Sequence, residues 1–130
     1  MGFFDLVNIR AINGKLNDLM PVVEANLSRL YRYYENNFKV VKRQKGGFSF
    51  GEYEEVVETT QQHYNEFLKL KEEFEDEFKS VQVIVEKIKP ITFLDDDRSY
   101  VHWNNKLASI SLSYDVLIQI LNHRKTYIKS

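Results

Sequence analysis

The chain has 130 residues, a net charge of −1, and 43% hydrophobic residues, with 14% of all residues aromatic. That is the length of one domain with enough apolar mass for a core, which excludes intrinsic disorder, and the charge is too small to draw nucleic acid or a membrane by bulk attraction. There is no cysteine, so disulfides, thiolate nucleophiles and cysteine metal sites are all excluded.

At the N-terminus, Phe3, Phe4, Val7 and Ala11 share one face of a short helix expected over residues 3–12. Arg10 is its one basic residue, so this face suits packing against the rest of the chain better than peripheral contact with an anionic bilayer. No basic region precedes a long apolar run, so no secretion signal is read here. Leu6 stands where a myristoylation motif needs Ser or Thr. No stretch approaches the ~20 apolar residues of a membrane span. A soluble, cytoplasmic protein with no integral membrane segment is expected.

Gly14 separates this helix from the first long one. Leu16, Met20, Val23, Leu27, Leu30 and Tyr34 alternate spacings of four and three, the signature of an apolar helical stripe, and the pattern loosens toward Val41. Pro21 must lie in a first turn or make a kink, with Asn17 or Asp18 as the cap. Gly46 and Gly47 end the helix.

The loop KGGFSFGEY, residues 45–53, has the glycine spacing of a phosphate-binding loop between Gly46 and Gly51. Glu52 and Tyr53 stand where that loop needs Lys and Ser or Thr, and a carboxylate repels phosphate. The residues fit a helix start better: Ser49 and Glu52 as a capping box, Phe48 and Tyr53 as a hydrophobic staple. A second helix over residues 50–88 follows, roughly 58 Å long at 1.5 Å per residue. Its stripe runs through Val57, Thr60, Tyr64, Phe67, Lys71, Phe74, Phe78, Val81, Val85 and Ile88, flanked by Val56, Leu70 and Ile84. Thr60 and Lys71 form a polar layer in it.

KPITFLDDD, residues 89–97, breaks the pattern: Pro90 stops one helix and the Asp run caps the next. Trp103, Leu107, Ile110, Tyr114, Leu117, Leu121, Arg124 and Ile128 make the third stripe. No strand is read anywhere. The expected fold is all-α, a single domain over 1–130. It is an elongated antiparallel helical bundle of three long helices with coiled-coil-like heptads, plus the short N-terminal helix.

Charge follows the same divisions. Residues 1–50 carry eight Lys/Arg against four Asp/Glu, residues 51–90 five against eleven, and residues 91–130 five against four. An acidic middle helix between two more basic ones favours their packing.

Chemistry-bearing constellations are sparse. A metal site between helices wants Glu-x-x-His pairs, and none occurs. His63 and Glu66 have the reverse order, Asp95, Asp96 and Asp97 near His102 point in different helical directions, and His123 precedes Arg124 and Lys125. Ser109, Ser111 and Ser113 lie inside a helical pattern without a nucleophile elbow. The carboxylates of residues 72–77 fall on a solvated face, where acid–base catalysis is poor. No metal, cofactor or enzymatic activity is expected.

Two features point to partners. Lys39, Lys42, Arg43 and Lys45 close the first long helix, and Arg124, Lys125 and Lys129 close the last. In an up-down-up arrangement these cations share one pole, with Tyr31, Tyr33 and Tyr127 nearby, where they could meet nucleic-acid phosphates. Glu52, Glu54, Glu55 and Glu58 at the same pole cancel much of that field. Second, Val101, Ala108, Leu112 and Val116 fall outside the core stripe of the third helix, as Val22, Tyr33 and Val40 do on the first. Phe50 has no place in the capping scheme. The expectation is a non-catalytic, homo-oligomeric interaction or structural protein acting through helical surfaces, with Phe50, Val101, Leu112, Val116, Tyr33 and Val40 as contact residues. A nucleic-acid accessory role for the basic pole is the alternative.

Overall fold

The computed structural model of the chain describes residues 3–45, 51–90 and 98–129, with side chains from Ile9 onward. The order is α1 (Phe3–Asn37), β1 (Lys39–Gln44), β2 (Tyr53–Thr60), α2 (Gln61–Ile88), α3 (Arg98–His123) and β3 (Thr126–Lys129). The expected all-α, coiled-coil-like bundle is therefore wrong. The three helices run up, down and up beside one another, and a three-stranded mixed sheet closes one end.

The N-terminal break is also absent. α1 is one helix of 35 residues, about 52 Å long, that passes through Gly14. A helical glycine costs only about 1 kcal/mol against alanine, too little to stop a helix that packs along its length. Pro21 lies inside it too, so the carbonyl of Asn17 lacks its usual donor four residues on.

The middle segment departs most from expectation. Its helix starts at Gln61 rather than residue 50, and residues 53–60 are extended. The run YEEVVETT is dense in aromatic and β-branched residues, whose restricted χ1 suits a pleated surface better than a helix. Thr60 leaves the strand with φ −94° and ψ 162° and accepts from the backbone N–H of His63 at 3.1 Å, capping α2. Glu52 and Tyr53 thus lead into a strand and cap no helix, while Phe48, Ser49 and the Asp95–Asp97 cap lie outside the described residues. Gly51 has φ +78°, which favours glycine, and the Lys45 N–H donates to the Glu52 carbonyl at 3.0 Å. β1 and β2, on either side of residues 46–50, are thus paired strands where a helix end and a helix start were expected.

β1 and β2 are antiparallel, with Val41 opposite Val56 and Val40 opposite Val57. β3 adds to the other edge of β2 in parallel, Val57 beside Thr126 and Glu58 beside Tyr127. Two helices connect β2 to β3, as a parallel pairing requires a long crossover.

The apolar stripes supply the core. Leu16, Met20, Val23 and Leu27 of α1 meet Phe74, Val81, Val85 and Ile88 of α2 and Trp103, Leu107 and Ile110 of α3. At this end Asn13 joins α1 to α3: its Oδ1 accepts from Trp103 Nε1 at 2.8 Å and its Nδ2 donates to Ser99 Oγ at 3.1 Å. Nearer the sheet, Leu30, Tyr34, Phe38, Phe67 and Leu117 enclose Val57. Thr59, buried beside them, donates its hydroxyl to the carbonyl of Asn37 at 2.9 Å and so satisfies the last residue of α1.

Candidate interaction surfaces

The basic residues named from sequence do gather at one end, but on strands and their approach. Lys39, Lys42 and Arg43 lie on β1, Lys45 follows it, Arg124 and Lys125 lead into β3, and Lys129 ends it. Directly paired residues share a face of a sheet. Val57 marks the face toward the helices, which it shares with Val40, Lys42 and Glu55. Lys39, Arg43, Glu58, Tyr127 and Lys129 share the opposite face.

β2 answers these cations with carboxylates. Arg43 donates to Glu58 Oε1 through Nε at 3.0 Å and Nη2 at 2.6 Å, and Lys129 Nζ lies 3.1 Å from Glu58 Oε2. Hydrogen bonds from Arg43 first, then Lys129, hold the Glu58 carboxyl below its ordinary range. The Arg43 guanidinium also sits 4.2 Å from the Tyr127 ring centroid. On the helix side, Arg124 makes the same fork to Glu55 Oε2, at 3.0 and 2.8 Å. Lys39, Lys42, Lys45 and Lys125 make no ion pair among the described residues. Lys39 and Lys42 leave the strand on opposite faces, so they do not form one flat anion-binding track.

A cleft of about 290 Å³ between α2 and α3 is lined in part by Phe74, Glu75, Lys79 and Tyr114. Tyr114 stacks on Phe74 with centroids 4.8 Å apart, and its hydroxyl donates to Glu75 Oε1 at 2.6 Å. Lys71, read from sequence as a polar layer, reaches the same oxygen at 2.6 Å. Lys71 and then Tyr114 hold Glu75 below the ordinary carboxylate range. Burial, with the Glu75 hydrogen bond second, pushes the Tyr114 hydroxyl far above its ordinary value. A general acid–base pair needs values near the working pH. Here both groups are driven away from neutrality. Among the described residues no group of three or more His, Asp and Glu side chains could hold a metal.

The outer face of α3 is of a different kind. Core residues Trp103, Leu107, Ile110 and Leu117 occupy one side of the helix. At 100° per residue, Leu112 lies nearly opposite them. Val101, Ala108 and Val116 fall within about 40° of Leu112 around the axis. All four are exposed, Leu112 at 65%, Val101 at 49% and Val116 at 43%. Asn105, Gln119 and His123 complete the same stripe; Asn105 and Gln119 were not singled out from sequence, and His123 was weighed there only as a metal ligand. Asn105 and Gln119 stand three or four residues from Val101, Ala108 or Val116, and His123 four from Gln119, which is the available signal.

The other named contact residues do not join this face. Tyr33 is half-buried, edge-on to His63 at 6.1 Å. Val40 is exposed on β1, and Val22 is exposed on α1. Phe50 and the side chains of Phe3, Phe4 and Val7 lie outside the described residues; Ala11 is exposed. No helix among the described residues is long and apolar enough to cross a membrane.

No family model, no curated protein and no solved structure matches this chain.

Proposed function

We propose that the protein is a non-catalytic interaction protein that works through its outer helical surface and self-associates there. The observation that carries this reading is the apolar stripe of α3 on the side away from the core. Fully burying a Leu or Val side chain contributes about 1.5–3 kcal/mol, and Val101, Leu112 and Val116, exposed at 49%, 65% and 43%, leave much of that unrealised within the chain's own fold. Isolated exposed apolar residues need no explanation, but a row of them at helical spacing on one face marks a contact surface. A non-catalytic role also draws support from the Tyr114–Glu75 pair, whose protons are held away from neutral pH. The lack of cysteine is compatible with the cytoplasm, the location assumed in this reading.

Sedimentation equilibrium or light scattering across a concentration series tests it. The wild type should show mass above the monomer at the upper end of the series. Leu112→Glu should be monomeric throughout with an unchanged far-ultraviolet circular dichroism spectrum, since Leu112 is outside the core. A wild type that is strictly monomeric, with Leu112→Glu making no difference to the capture of any partner, removes the basis of the proposal.

A further inference from the structure

We infer that the partner on this face is a second copy of the chain, its α3 antiparallel to the first, with the two-fold axis passing beside Leu112. This rests on the reading of α3 as the contact surface and adds the identity and register of what docks there.

The argument comes from the symmetry of the stripe. An isologous interface uses the same patch twice, so a patch suited to it must be complementary to itself when reversed. In an antiparallel helix pair centred on Leu112, residues whose numbers lie equally far on either side of 112 meet at the same height. Leu112 then meets Leu112. Ala108 of one copy meets Val116 of the other, a small residue against a larger one, which fills the layer without overlap. Asn105 meets Gln119, amide against amide, so each can donate to and accept from the other. Val101 meets His123 at the ends. All seven positions are exposed in the single chain. Each lies within about 40° of Leu112 around the helix axis.

The Asn105–Gln119 layers, one on each side of the axis, set the register. Sliding either helix by one turn places an amide opposite Ala108 or Val116 and leaves its donors unpaired in an apolar layer, the device by which a polar residue fixes helix pairing. A parallel pair instead stacks Asn105 on Asn105 and Ala108 on Ala108, leaving a gap at the latter. The margins of the stripe also suit self-contact. Asn104, Ser109, Ser113 and Asn122 flank it and are exposed and uncharged. In the antiparallel pair the two Asp115 side chains lie on opposite sides of the axis, about 9 Å apart along the helices.

The area sets the strength. The stripe from Val101 to His123 is about 33 Å long and 10–12 Å wide, or roughly 350–400 Å² per chain. A stable interface of standard size buries about 800 Å² per partner. The pair is therefore reversible and forms at high protein concentration.

The natural absence of cysteine makes the test direct. Leu112→Cys places two thiols at the axis and should form a disulfide dimer on mild oxidation. Val101→Cys alone should not, because its two copies lie about 33 Å apart in this arrangement. Mixed with a tagged His123→Cys chain, it should give the mixed dimer. Glu73→Cys, at an exposed site on α2, sets the background from random collision. Substitutions at these exposed sites leave the core intact, and circular dichroism verifies that. Efficient Val101→Cys homodimers indicate a parallel pair and overturn the proposal. So do Leu112→Cys dimers no more abundant than those of Glu73→Cys. If that background result comes with a wild type whose measured oligomer is lost in Leu112→Glu, the contact face stands and the two-fold register does not. If no oligomer forms and Leu112→Glu changes nothing, the contact face falls as well.

Discussion

Phe67→Ala probes the junction on which the whole arrangement depends. Phe67 is fully buried where α2 meets the sheet, in one cluster with Leu30, Tyr34, Phe38, Val57 and Leu117. Its ring centroid lies 5.2 Å from that of Phe38 and 6.0 Å from that of Tyr34. Truncating a buried Phe costs about 3–5 kcal/mol through lost transfer energy and the cavity left behind. The site has little freedom to collapse, because Val57 is held by the sheet and its N–H donates to the Lys125 carbonyl at 2.8 Å. A loss of about 4 kcal/mol is expected, much of the total for a domain of ordinary stability. Leu68, the next residue, is 41% exposed and outside both core clusters, and Leu68→Ala should cost about 1 kcal/mol or less. Urea unfolding followed by circular dichroism and by the fluorescence of Trp103, the single tryptophan, measures both. Trp103 lies in the cluster far from the sheet, so coincident transitions would also show one cooperative unit. A Phe67→Ala loss below about 1.5 kcal/mol would mean that helices and sheet do not share a tight core, refuting the reasoning.

Thr60→Ala removes the N-cap of α2 and should cost about 1 kcal/mol, while Thr60→Ser keeps the acceptor and most of the stability; equal urea midpoints for Thr60→Ala and wild type would place the helix start elsewhere. Acid should weaken the fold through Glu58 and Glu75, both held below their ordinary value of 4.5 by cationic partners. A carboxylate with a depressed folded value contributes stability above its unfolded value and loses it as pH falls through the folded one. The urea midpoint should thus be steady toward neutral pH and fall from about pH 4.5 downward. Glu58→Gln should flatten part of that fall, and an identical acid profile for the variant would show that Arg43 and Lys129 do not hold the carboxylate in solution.

Local periodicity was enough to name the core-facing residues of the helices. Leu16, Met20, Val23, Leu27 and Leu30, then Phe67, Phe74, Val81 and Val85, then Trp103, Leu107, Ile110 and Leu117 all lie buried, because a stripe of period near 3.6 must face something apolar. The outward stripe of Val101, Ala108, Leu112 and Val116 was legible by the same count. The gathering of Lys39 to Lys45 with Arg124 to Lys129 followed from short connections between antiparallel helices. The stripes could be read because they are local in sequence, and the gathering because it needs only the order and alternating direction of three helices.

The sheet was decided by tertiary structure. Val56 and Val57 fit a wide helical stripe as neighbours, yet they face opposite sides of β2 and both are fully buried. Spacing alone cannot separate these cases over eight residues. The β-branched content of YEEVVETT and the glycines before it were the local signals of a hairpin. β3 is too short to be read alone: TYIK has Thr, Tyr and Ile, but four residues at the end of a helical stripe become a strand because β2 offers an edge from about 70 positions earlier in the chain. Parallel pairing at that separation leaves no periodic trace. The cancellation of the basic pole by Glu52 to Glu58 was expected from sequence, but which carboxylate pairs with which cation, Glu55 with Arg124 and Glu58 with Arg43 and Lys129, was set by the strand pairing.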